Sequence, residues 1–97
     1  MLGKNQIFTI AREVVTANLT SSRVSNVVTE PTIDSEGREA LRITIVIKPG
    51  AVARISGDAA LDTLVQIQDR LREAGEERFP IVEYATEEEL EESRLTD

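Results

Sequence analysis

The stretch LRITIVIK, Leu41 to Lys48, alternates Leu41, Ile43, Ile45 and Ile47 with Arg42, Thr44, Val46 and Lys48. A period of two puts the four aliphatic side chains on one face of a β-strand and the mixed set on the other. Such a strand is stable only with a paired neighbour and an apolar layer against its aliphatic face. The flanking residues supply both.

On the N-terminal side, RVSNVVTEPTI (Arg23–Ile33) is rich in valine and threonine and is followed by DSEG (Asp34–Gly37). Asp34 suits an Asx-type turn, Gly37 suits a positive φ, and the two runs pair as an antiparallel hairpin. A pairing centre between Ser35 and Glu36 sets Val28 opposite Ile43 and Val24 opposite Ile47 on the buried face. Ser25, Val27 and Thr29 then point outward beside Arg42, Thr44 and Val46. Pro31 cannot donate to a ladder and belongs at a strand end or a sheet edge.

Further out, NQIFTIAREVVTANL (Asn5–Leu19) places Ile7, Ile10, Ala11, Val14 and Val15 at helical spacing, with a stop expected near Asn18. After the Pro49–Gly50 break, Ser56 or Asp58 caps AALDTLVQIQDRLREAG (Ala59–Gly75). In that helix Ala60, Leu64, Ile67, Leu71 and Ala74 form the expected apolar stripe, widened by Leu61 and Val65, and Gly75 is the stop. FPIVEYA (Phe79–Ala85) supplies a third strand. TEEELEE (Thr86–Glu92) opens with Thr86 and Glu89 in capping-box spacing and predicts a last short helix. The expected fold is a two-layer α+β domain of order α-β-β-α-β-α, with a three-stranded sheet (an antiparallel hairpin plus one strand) and two helices on one face. Residues 1–85 form the single domain, and 86–97 an acidic C-terminal helix or partly disordered tail.

The composition narrows the chemistry. The 97 residues include no cysteine and no histidine, which removes thiolate and imidazole nucleophiles, bases and metal ligands. Asp58 and Asp62 stand one turn apart at a helix start, where they complement the helix dipole. Asp34 and Glu36 lack the further oxygen ligands of a calcium loop. Ser56, in ISGD, lacks the glycine pattern of a nucleophile elbow, and KPGAVARISG (Lys48–Gly57) lacks P-loop spacing. No catalytic, cofactor, metal or small-molecule site is expected. The chain has no signal-like or membrane-spanning apolar run, so the expected location is the cytoplasm.

Charge is uneven. The net charge is −7, yet residues 1–72 hold eight acids and nine bases while residues 73–97 hold ten acids and two bases. This favours a small acidic accessory protein that binds a protein partner or itself as a homodimer, a class that includes bacterial antitoxin-like and immunity-like proteins. The candidate contacts are Val27, Arg42, Thr44 and Val46 on the second face of the sheet, and Glu87, Glu88, Glu91 and Glu92 on the acidic segment. The acidic segment has two further roles open to it, keeping the chain soluble and masking the chain's own Arg38 and Arg42. The alternative function is a nucleic-acid-binding module that uses Arg38, Arg42, Lys48 and Arg54, with only Phe8, Phe79 and Tyr84 as aromatic residues.

Overall fold

The strand with the alternating pattern lies at the centre of the sheet. The computed structural model describes residues 2–19, 23–50 and 55–95, with side chains up to residue 92. Within these, α1 (Lys4–Asn18) leads to β1 (Val24–Ile33), β2 (Glu39–Ile47), α2 (Gly57–Glu73), β3 (Phe79–Thr86) and α3 (Glu87–Leu95). The sheet order is β1-β2-β3, with β1 antiparallel and β3 parallel to β2. A parallel neighbour requires a crossover, which α2 provides.

Leu41, Ile43, Ile45 and Ile47 face α1 and α2 and form one core with Ile7, Ala11, Val14, Val15, Ile67 and Leu71. Val82 and Tyr84 of β3 pack against it, and the Tyr84 hydroxyl donates to the Ala60 carbonyl oxygen (3.0 Å). Both helices therefore cover the same side of the sheet.

The hairpin register differs from the expected one. Val24 does face Ile47, but Asn26 faces Val46, and from there Val27 pairs with Ile45, Val28 with Thr44 and Thr29 with Ile43. The cause is the turn. Asp34 N–H donates to the Arg38 oxygen and Gly37, at φ 81, donates to the Asp34 oxygen, closing a loop of three residues rather than two. Every pair from Asn26 to Ile33 moves by one residue, and Ser25 is absorbed as a bulge between Val24 and Asn26. Val27, expected to point outward, is buried on the core side at 5% exposure, together with Thr29.

The buried stripe of α2 is also rotated from the expected one. It runs through Thr63, Ile67 and Leu71, whereas Leu61 and Val65 are 57% and 44% exposed and Ala74 is exposed. The neighbouring helix explains this: Asn18 and Gln66 exchange side-chain hydrogen bonds, and Arg70 pairs with Glu13 at 2.7 Å, so α1 lies on that flank. Thr63 tolerates full burial because its hydroxyl donates to the Ala59 carbonyl (2.7 Å). Ser56 caps the helix, its Oγ accepting from Ala59 N–H.

Candidate interaction surface

The face of the sheet turned away from α1 and α2 follows from the register. Pairing places Thr32, Ala40 and Phe79 in one cross-strand row, then Glu30, Arg42 and Ile81, then Val28, Thr44 and Glu83, then Asn26, Val46 and Ala85. Arg42, Thr44 and Val46 lie on this face, and Val27 does not. The central strand offers little of itself: Thr44 is 6% and Val46 2% exposed. What is accessible is the set around them, with Phe79 59% exposed and Glu30 and Glu83 exposed.

Arg42 sits between the two glutamates, 3.6 Å from Glu30 and 3.3 Å from Glu83, while the Thr44 hydroxyl donates to Glu83 Oε1 (3.4 Å). Each pair is solvent-exposed and adds little stability alone. Together they hold one cation and two anions in fixed places across all three strands.

The other bases are spread out rather than clustered. Arg38 is at the hairpin turn, paired with Asp34 (3.1 Å) and Glu36 (2.8 Å). Two backbone N–H groups, those of Arg38 and Glu36, also donate to Asp34, and these bonds hold its carboxyl below the usual range, that from Arg38 most of all. Lys48 follows the opposite end of β2, roughly 33 Å from Arg38 along an extended chain. Arg54 lies outside the described residues.

The acidic segment forms α3 directly from the end of β3. Thr86 N–H donates to Glu89 Oε1 and Glu89 N–H donates to Thr86 Oγ1, each at 3.2 Å, completing the capping box. Glu87, Glu88 and Glu89 occupy the first turn, where the helix dipole favours them, and Glu91 and Glu92 lie beyond it; all five are exposed. Thr86 is level with Ile47, so α3 starts at the sheet end away from Arg38. A nine-residue helix spans roughly 14 Å and does not return to that turn. Masking of Arg38 by α3 is thus ruled out by distance, and Arg42 already has two partners.

One polar cluster is not visible in the sequence pattern. The Glu76 side chain is fully buried and accepts hydrogen bonds from Leu2 N–H (3.0 Å), Arg78 N–H (2.9 Å) and the Arg78 guanidinium (2.9 and 3.0 Å). Arg78 Nη2 also donates to the Leu2 carbonyl (3.3 Å). The Arg78 side-chain bonds, aided by those from the backbone, hold the Glu76 carboxyl at about 2 against the opposing effect of burial. The pair ties the start of the chain to the α2–β3 connection, a structural task. In the sequence EERF (Glu76–Phe79) reads only as a charged loop, because the third partner is more than seventy residues away.

Compared with protein-family models, curated proteins and solved structures, the chain matches none.

Proposed function

We propose that this domain is a non-catalytic binding module whose sheet face turned away from α1 and α2 docks on a protein surface, a second copy of the chain included. The observation that carries this is the face itself: an exposed Phe79 beside Ile81, next to a fixed Glu30–Arg42–Glu83 triad. An aromatic anchor beside positioned charges is the arrangement that gives protein contacts both energy and register. The groups whose titration is displaced support a role without chemistry, since each serves the fold. Asp34 shapes the turn, Glu76 and Arg78 clamp the chain, and burial beneath α2 raises the Tyr84 phenol. Nucleic-acid binding is disfavoured because Arg38 and Arg42 are already neutralised by four carboxylates.

The test is a concentration series by sedimentation equilibrium, together with affinity capture from the native extract. Wild type should dimerise or retain a stoichiometric partner, and Phe79→Asp and Arg42→Glu should each lose it. A chain that stays monomeric and whose captured proteins are unchanged by both substitutions would refute the sheet-face site.

A further inference from the structure

A second surface lies along the outer edge of β1, which has no neighbouring strand among the described residues. Two depressions, of about 100 and 150 Å³, separate β1 from α1. The first is lined by Phe8, Arg12 and Val15 on the helix side and by Val24 and Val27 on the strand side. The second is lined by Leu2, Lys4 and Ile7 against Thr29 and Pro31. No α2 residue lines either, although Leu41 of β2, Arg78 of the α2–β3 connection and Glu30 also border the second. Lys4, Phe8 and Arg12 recur at four-residue spacing and form one row along the α1 wall, with the Arg12 guanidinium 6.0 Å from the centre of the Phe8 ring.

The strand side presents backbone groups ready for pairing. Asp34 N–H donates to the Arg38 oxygen at 2.9 Å, and bonded pairs in an antiparallel ladder recur every second residue. Asn26, Val28, Glu30 and Thr32 therefore bond to β2, and Val27, Thr29 and Pro31 turn their backbone polar groups to the outer edge. The Val27 N–H accordingly donates to Oδ1 of its neighbour Asn26 (2.9 Å), a local substitute for the acceptor that another strand would bring. Pro31 falls at an outward position, where its missing N–H costs no internal bond and limits how far an added strand can run.

We infer that the α1–β1 seam takes an extended peptide segment bearing acidic and apolar side chains, which adds to β1 as a short strand. Strand addition supplies the backbone bonds at Val27 and Thr29, the two depressions take alternate apolar side chains, and the row of Lys4 and Arg12 selects for carboxylates. Among the described residues neither base forms an ion pair, in contrast to Arg38, Arg42, Arg70 and Arg78. The inference rests on the reading of the chain as a protein-binding module but uses a different surface.

The experiment is to pan random linear peptides displayed on phage against the immobilised full-length chain, and to measure a synthetic copy of the enriched peptide by fluorescence anisotropy. The expected peptide carries both its apolar residues and its Asp or Glu at every second position, on the one face that an added strand turns toward Lys4 and Arg12. Its binding slows amide exchange at Val27 and Thr29 and falls about tenfold or more with Arg12→Glu. N-methylation at alternate peptide bonds should abolish binding for one set of amides and spare it for the other, a signature that needs no change to the protein. No enrichment, a peptide that binds as a helix, equal sensitivity to both methylated sets, or protection confined to β3 would each overturn the proposal. So would concentration-dependent protection of Val27 and Thr29 without peptide, which would place a second copy on the edge. The anisotropy assay reads this edge alone, so it can fail while Phe79→Asp still abolishes partner capture, and the reverse.

Discussion

Glu76 is a carboxylate with no side-chain exposure and four hydrogen bonds from Leu2 and Arg78. Removing one member of such a pair strands the other in a site built for its opposite, so Glu76→Gln should destabilise the fold by about 3 kcal/mol in urea unfolding at pH 7. The pH dependence has a defined sign. The folded value, about 2, lies below the ordinary 4.5, so the unfolded chain binds the proton first as pH falls. The stabilisation is complete above about pH 5 and is lost as pH drops toward 2, with about 2 kcal/mol gone by pH 3. In the Gln variant that slope between pH 5 and 3 should be missing. An unchanged slope would show that some other carboxylate governs acid unfolding.

At the scale of elements, the order α-β-β-α-β-α was legible because each element carries its own period and its own stop signal. The helix end at Asn18, the Ser56 cap, the Asp34 turn and the Thr86–Glu89 box are local, and local chemistry is what a sequence displays. The two misreadings are of another kind. Whether the hairpin loop holds two or three residues is decided by the pairing of Asp34 with Arg38, and which flank of α2 is buried is decided by where α1 lies. Of the candidate site, the face of Arg42, Thr44 and Val46 was readable from alternation, whereas Val27 was misplaced by the register and Phe79 became a surface feature only through its pairing with Ala40. The register is open to a direct test. Val27→Thr buries a hydroxyl in the apolar core and should cost about 1–2 kcal/mol, while Val28→Thr on the other face should stay within about 0.5 kcal/mol. The expected register reverses that ranking, so unfolding of the two variants separates them. The cap of α3 gives a second test at this scale: Thr86→Ala removes the acceptor for Glu89 N–H and should weaken the helix by about 1 kcal/mol, seen as faster amide exchange over residues 87–90.

For the molecule as a whole, the question is what an acidic helix does at one end of a nearly neutral body. Six acids and one base lie beyond Ala85, so a chain ending there has a net charge of −2 instead of −7. If α3 were masking a nucleic-acid site, that truncation would reveal binding whose affinity falls steeply with salt, since each phosphate contact releases a counterion. The geometry points the other way. Arg38 and Arg42 keep their carboxylate partners Asp34, Glu36, Glu30 and Glu83 in the shortened chain, and Lys48 stands at the far end of β2 from Arg38. The long-range repulsion of polyanions weakens on truncation, but Arg38 and Arg42 are no freer to meet a phosphate. A single-stranded RNA probe should therefore show no salt-dependent binding to either form at physiological ionic strength. Binding that appears on truncation and is abolished by Arg42→Glu would make the sheet face around Arg42 a nucleic-acid surface and α3 its competitor.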